Sequence, residues 1–229
     1  MDANKKMPDI ILTGDGSHSL YNEELNETYH SRHGALRESR YVFIDQGLAL
    51  VDPFTDPIRI LEVGFGTGMN AVLTANFASE HHRHIQFSTL ETLPLDTSIT
   101  DQINVAKTIG ENNSELFKAL HAAPWEQLTS IEPYFSIHKR ETSLQNAELE
   151  AAYYDIIFYD AFGPQAQPEM WTRELFEKLY ASLKPEGIFV TYCAKGQVRR
   201  DLQDIGFSMT RLPGPPGKRE MLRGLKAEV

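Results

Sequence analysis

The chain has 229 residues, 41% of them hydrophobic and 24% charged, with a formal net charge of -10. This is the size and composition of one globular domain, with or without a small appendage. No apolar run reaches the roughly 18 residues of a membrane-spanning helix, the opening stretch Met1 to Ile10 lacks the apolar core of a signal peptide, and the single cysteine, Cys193, allows no internal disulfide; a cytoplasmic protein is expected.

In chain order, Ile10 to Thr13 and Ser19 to Tyr21 flank Asp15-Gly16, a favoured tight-turn dipeptide. Tyr41 to Ile44 and Leu48 to Val51 flank a second turn at Asp45-Gln46-Gly47. Residues 1–56 are thus expected to form a small β-rich extension ahead of a larger domain over 57–229. In that domain Ile58 to Val63 is a short apolar run bounded by Pro and Gly, a buried strand. Gly68 to Ala78 reads as a helix and Ile85 to Leu90 as a second strand that ends at Glu91. Asp96 to Ile109 and Ser114 to Ala122 read as helices, Tyr134 to His138 and Asp155 to Tyr159 as strands. Glu169 to Leu183 is a helix closed by Lys184-Pro185, Gly187 to Tyr192 a strand, and Gly196 to Ile205 a helix stopped by Gly206. Phe207 to Leu212 and Glu220 to Gly224 complete the pattern as a terminal hairpin. Strands that alternate with helices predict an α/β fold, a mainly parallel seven-stranded sheet with helices on both faces and ligands at the carboxyl ends of the strands.

Charge is distributed unevenly. Cys193 to Val229 holds eight Lys/Arg and four Asp/Glu, net +4, which leaves 14 basic and 28 acidic residues, net -14, elsewhere. A basic segment can bind phosphates on an acidic protein, because charges are felt within about 10 Å at physiological salt. The plainer reading is that these side chains solvate the surface.

The first predicted strand runs through Glu62 into Gly64-Phe65-Gly66-Thr67-Gly68-Met69-Asn70. Alternate glycines let a backbone turn sharply and approach a ligand. The spacing is G-x-G-x-G rather than the G-x-G-x-x-G of dinucleotide sites, which fits S-adenosylmethionine better than a nicotinamide cofactor. Glu91, at the end of the next strand, is placed to accept ribose hydroxyls; otherwise it caps a loop. Glu141, after the third strand, is the candidate for the adenine, or else a charge favoured by a helix N-terminus. The expected fold is therefore the Rossmann-like class I S-adenosylmethionine-dependent methyltransferase fold. The expected cofactor residues are Glu62, Gly64, Gly66, Gly68, Asn70, Glu91, Glu141 and Asp160.

Asp160 is singled out because an apolar strand delivers one carboxylate at its carboxyl end, followed by Ala161-Phe162-Gly163-Pro164. An unpaired buried carboxylate is expensive, so packing alone does not place it there; the other reading is a satisfied turn. It is the expected catalytic residue. No His/Cys/Asp cluster has metal-ligand spacing, so no metal is expected.

The block from Asp155 to Trp171 resembles the methyltransferase half of the bifunctional tRNA-modifying protein MnmC, stand-alone versions of which are called MnmD. The similarity continues through Lys195 to Arg200, Leu202-Gln203, Gly206-Phe207 and Gly217-Lys218-Arg219-Glu220-Met221. Upstream it includes Asp15-Gly16-Ser17, Tyr29-His30-Ser31, Gly34-Ala35 and Glu38 to Phe43. It departs from the family at Tyr159 and Cys193. The fused relatives carry a second, flavin-dependent domain, and these residues hold no second dinucleotide loop, so only methyl transfer carries over. The resemblance implies transfer to the amine of 5-aminomethyl-2-thiouridine at the tRNA wobble position, giving 5-methylaminomethyl-2-thiouridine. Asp160 would then position the amine. Phe162 and Trp171 are either stacking platforms or core. Tyr29, His30, Ser31 and Arg40 would wall the site, and Lys195, Arg199, Arg200, Lys218 and Arg219 would hold tRNA phosphates unless they pair with Asp201, Asp204 and Glu220. The expected partner is tRNA, with no membrane and a monomeric state. Rival readings are a methyl- or aminopropyltransferase acting on a small amine, and a catalytically silent cofactor- or RNA-binding module.

Overall fold

The computed structural model describes residues 8–228; Met1 to Met7, within the polar opening stretch, and Val229 lie outside the described residues. Eight strands form one sheet in the order β10-β11-β9-β8-β4-β5-β7-β6. They are β4 (Ile58–Val63), β5 (Ile85–Glu91), β6 (Leu128–Glu132), β7 (Phe135–Glu141), β8 (Tyr154–Tyr159), β9 (Leu183–Thr191), β10 (Phe207–Pro213) and β11 (Glu220–Lys226). The pairs β4–β5, β4–β8, β5–β7 and β8–β9 are parallel, while the pairings of β11 with β9 and β10, and of β6 with β7, are antiparallel. All seven predicted strands are present. The eighth, β6, is an edge strand of mixed polarity that the apolar-run criterion passes over.

Side chains alternate across a strand, so each central strand feeds two cores. Ile60, Phe87, Ile156, Phe158 and Val190 face one layer with helices α2 (Met69–His81), α4 (Val105–Ile109) and α5 (Ser114–Ala122). Leu61, Ile157, Tyr159 and Phe189 face the other, with α6 (Arg173–Ser182) and α7 (Gly196–Ile205). Burial on both faces explains why these strands read as continuous apolar runs.

The extension carries the expected small sheet in its first part and helical turns in its second. β1 (Asp9–Leu12), β2 (His18–Asn22) and β3 (Glu27–Thr28) make a small antiparallel sheet. The expected strands at Tyr41 to Ile44 and Leu48 to Val51 are instead helical. Helix α1 (Ala35–Ser39) runs into a π-helical turn over Arg40–Asp45, with Gln46 N–H on the Tyr41 carbonyl at 3.0 Å, then a 3-10 turn at Leu48–Leu50. Val42, Phe43 and Ile44 are consecutive and all buried, which a one-faced strand cannot achieve. Phe43 meets Phe158 at 5.2 Å between ring centroids, so the extension shares the core of the sheet.

The helix expected over Asp96 to Ile109 is broken in two, α3 (Thr97–Thr100) and α4. Asn104 is the reason. Its amide donates to the Gly16 carbonyl at 2.9 Å and its oxygen accepts from His18 N–H at 2.6 Å, so the chain turns to hold the β1–β2 hairpin. The helix expected from Glu169 begins later, after a 3-10 turn at Pro168–Met170. Among the described residues no helix is long and apolar enough to cross a membrane, and no group of three or more His, Cys, Asp or Glu is placed to hold a metal.

Candidate active site

A cavity of about 300 Å³ opens at the carboxyl ends of β4, β5, β7 and β8. Its position follows from strand order: β4 lies between β5 and β8, so the turn after β4 sits beside Glu91 on one side and Asp160 on the other. Backbone bonds extend the ladder into this turn, from Gly64 N–H to the Leu90 carbonyl at 3.0 Å and from Asp160 N–H to the Val63 carbonyl at 3.1 Å.

The glycine turn is tightly constrained. Gly66 has φ +50°, and a Cβ there would lie 3.1 Å from the ring of Tyr29. Glu91 grips the turn as well. Its carboxylate accepts Gly66 N–H at 3.0 Å, and Thr92 and Leu93 N–H at 2.8 Å each. A carboxylate offers about four acceptor sites, so about one remains for a ligand hydroxyl. Behind the loop, His121 bonds the Thr67 carbonyl through Nε2 at 3.1 Å, and the buried ammonium of Lys139 donates to the His121 carbonyl at 2.6 Å. Burial takes His121 down to about 4 and Lys139 down to about 8.

Asp160 is half-buried at the cavity floor. Asn70 Nδ2 donates to its Oδ2 at 2.9 Å. Burial raises the Asp160 carboxyl well above the ordinary range, Glu38 adds to this, and the Asn70 bond and Lys218 oppose it. Beneath it Glu62 is fully buried, takes the Thr89 hydroxyl at 2.7 Å, and is likewise held well above the carboxylate range by burial. The turn after Asp160 is fixed by Trp171, whose indole N–H donates to the Phe162 carbonyl at 2.7 Å, and by Tyr159, whose hydroxyl bonds the Met170 carbonyl. Trp171 is buried against Tyr159 and Phe176 and is core.

Tyr29, His30 and Phe162 line the outer part of the cavity, Tyr29 and Phe162 edge to face at 4.9 Å. Tyr29 is raised to about 12 by burial and by Glu91, and stays a neutral phenol. His30 is lowered to about 4 by burial and stays a neutral imidazole. The Ser19 hydroxyl accepts His30 N–H at 3.1 Å and lies 3.2 Å from Nδ1.

The structure therefore gathers Gly64, Gly66, Asn70, Glu91, Asp160, Tyr29, His30 and Phe162 around one cavity. Glu62 lies below it and Gly68 behind it, against His121. Glu141 is exposed at the end of β7, and Thr142, Ser143, Leu144 and Gln145 line the cavity instead. Ser31 and Arg40 do not line the cavity; Ser31 N–H is bound to Glu38 at 2.6 Å and Arg40 is exposed. Lys195 caps the start of α7, and Arg199 and Arg200 follow within its first five residues, Arg199 bonded to Gln203 and Arg200 to Gln197 rather than to Asp201 or Asp204. Lys218 is paired with Glu38 at 2.5 Å, and Arg219 is exposed beside it. Sequence reasoning missed Glu38 and Tyr192, which act on the site only through the tertiary fold: Glu38 by its charge on the Asp160 carboxyl, Tyr192 by its bond to the Ala161 carbonyl.

The cavity suits S-adenosylmethionine: it has the volume of a small-molecule site, and a glycine turn, with Gly64 and Gly66 at positive φ, that lets a ligand approach the backbone. Residues 136–227 match a family model described as S-adenosyl-L-methionine-dependent methyltransferase. Similar curated proteins include the "tRNA 5-methylaminomethyl-2-thiouridine biosynthesis bifunctional protein MnmC" of Nitrosospira multiformis, 29% identical over 90% of this chain and 35% of that protein. The protein of the same name from Actinobacillus pleuropneumoniae is 27% identical over 95% of this chain and again 35% of its own length. This chain thus spans about a third of the curated relatives it matches. The crystal structure of MnmC2 from Aquifex aeolicus superposes with a TM-score of 0.81 at 26% identity, over 100% of this chain and 73% of that one. Spermidine synthase from Thermotoga maritima, at 11% identity and TM-score 0.54, shares the fold. The fold and the cofactor are those of the class I S-adenosylmethionine-dependent methyltransferases, and the resemblance to the methyltransferase half of MnmC holds along nearly the whole chain.

Proposed function

We propose that this S-adenosylmethionine-dependent methyltransferase acts on tRNA in the cytoplasm as a monomer, methylating the amine of wobble 5-aminomethyl-2-thiouridine to give 5-methylaminomethyl-2-thiouridine. The observation that carries this reading is Asp160, held by Asn70 at the floor of a cavity whose outer wall is Tyr29 and Phe162. A carboxylate beside a cofactor turn suits an amine acceptor, and an aromatic wall suits a base taken out of its stack.

When bound, the cofactor supplies a methyl group on a positively charged sulfur. Gly64 and Gly66 would cradle it by backbone, Glu91 would take a ribose hydroxyl, Asn70 would hold the Asp160 carboxyl beside it, and Thr142 to Gln145, rather than Glu141, would meet the adenine. Glu62 and Gly68 support that cradle from below and behind. A primary alkyl amine has a pKa of about 10 and is mostly protonated at neutral pH; it must lose that proton before its lone pair can attack. Asp160 accepts an amine N–H and aims the lone pair. Burial raises its carboxyl and so favours its taking up a proton, which makes Asp160 the group placed to receive the proton that the arriving ammonium gives up. Alignment is the main source of rate in this arrangement. The exposed Lys195, Arg200 and Arg219, the half-buried Arg199, and Arg40 on the extension are assigned to tRNA phosphates; Lys218 is treated below.

The test is incubation of the purified chain with S-adenosylmethionine and tRNA bearing 5-aminomethyl-2-thiouridine, followed by mass spectrometry of the nucleosides. A 5-methylaminomethyl product is expected. Methylation of free polyamines with no change in the tRNA would replace this reading by a small-amine methyltransferase.

A further inference from the structure

We infer that the Glu38–Lys218 ion pair is a positioning latch for the acceptor side of the site, clamping the N-terminal extension to the β10–β11 turn over Tyr192. The inference rests on the methyl-transfer reading above and assigns Lys218 to the site rather than to tRNA phosphates.

Glu38 is 5% exposed, on α1. A buried carboxylate requires compensation, and it has two partners. Lys218 Nζ lies 2.5 Å from one oxygen, and Ser31 N–H donates to the other at 2.6 Å. Ser31 follows Tyr29 and His30, which line the cavity. The same ammonium sits 3.7 Å from the centre of the Tyr192 ring, a close cation–π contact. The Tyr192 hydroxyl donates to the Ala161 carbonyl at 2.8 Å, between Asp160 and Phe162. One ion pair thus reaches both walls of the acceptor pocket. Two further contacts seat the turn on the extension. The Tyr41 hydroxyl donates to the Pro213 carbonyl at 2.9 Å, and Gly217, at φ +89°, packs so closely on His33 that a Cβ would overlap the ring.

The pair also bears on the charge of the site. Glu38, Lys218, Tyr192 and Glu62 interact electrostatically with Asp160, the Asn70 amide is bonded to it, and Tyr29, His30 and Glu91 line the same cavity. Glu38 raises the Asp160 carboxyl and Lys218 lowers it. Without Lys218, Glu38 faces Asp160 unopposed, and the carboxylate forms only at higher pH. The acceptor amine titrates identically with either protein, so a difference between their pH profiles reports on the chain.

The test uses Lys218→Met, Lys218→Arg and the double variant Lys218→Met/Glu38→Gln. For Lys218→Met we expect kcat on aminomethyl tRNA to fall by about tenfold or more, the acid limb of the kcat profile to move to higher pH, and cofactor affinity and the salt slope of tRNA binding to stay unchanged. Lys218→Arg recovers most of the rate. The double variant leaves no buried charge unpaired and so keeps its fold; its acid limb returns to the wild-type position while kcat stays low. Hydrogen exchange at residues 29–33 and 213–219 reads the latch without substrate, and is faster in Lys218→Met than in wild type. A kcat near wild type in both Met variants overturns the inference, as does unchanged exchange in those segments. A salt slope shallower by roughly 0.7–0.9 with kcat intact returns Lys218 to a phosphate contact. Absence of methylated nucleoside from the wild-type protein refutes the proposed function instead, with the exchange result still deciding the latch.

Discussion

Replacement of Glu91 by Gln tests whether the cofactor turn is held by the carboxylate at the end of β5. In the native arrangement one oxygen accepts Gly66 N–H and the other accepts Thr92 and Leu93 N–H, all between 2.8 and 3.0 Å. Glutamine keeps one acceptor oxygen. Its amide group must therefore face at least one backbone N–H, donor against donor. If the amide takes the inner place, Gly66 loses its partner at a position where φ is +50° and the backbone has few alternatives. A hydrogen bond to a charged group contributes about 1.5–3 kcal/mol. Because the native turn is the conformation that meets the cofactor, that loss appears in binding as roughly a tenfold to hundredfold weaker Kd for S-adenosylmethionine. Isothermal titration calorimetry on the variant measures it, with thermal melting to establish that the fold is retained. A Kd within about twofold of wild type would show that the turn holds without Glu91, and tighter binding of NAD than of S-adenosylmethionine by the wild-type protein would reject the cofactor assignment altogether.

Asp160→Ala is expected to lower kcat by about a hundredfold or more while the calorimetric affinity for S-adenosylmethionine changes little; turnover within a few-fold of wild type would make Asp160 a structural turn residue. Glu62→Gln should raise Tm at pH 7.5 and leave it unchanged at pH 4. The folded-state pKa of Glu62 lies above its unfolded value, so its contribution is fully favourable below about 4.3 and is lost as pH rises toward the folded value; a Tm difference independent of pH would contradict this. Arg199→Ala/Arg219→Ala should weaken tRNA binding and reduce its salt slope by about 1.4–1.8, two contacts at 0.7–0.9 each, as measured by filter binding over a range of salt. An unchanged slope would move the tRNA footprint away from α7 and the β10–β11 turn.

The sequence by itself determined the parts of this protein that depend on neighbouring residues. Ile58–Val63 and Tyr154–Tyr159 are legible as strands because burial on both faces requires an unbroken apolar run. The glycine turn is legible because its close approaches exclude side chains, and Asp160 because a carboxylate that ends such a run needs a reason to be there. Where local pattern supports two outcomes, only tertiary contacts chose. Tyr41 to Ile44 suits a strand as well as a helix until packing on Phe158 demands that three consecutive side chains be buried. Asp96 to Ile109 suits one helix until Asn104 is recruited to the β1–β2 hairpin. β6 is an edge strand whose pairing with β7 supplies the order that its own alternation does not. Lys218 reads as a free cation in a basic segment, because nothing near it in the chain reveals Glu38. Their pairing depends on the sheet bringing the β10–β11 turn against α1, and that long-range contact, not local propensity, decides whether the lysine's charge faces RNA or the interior of the site.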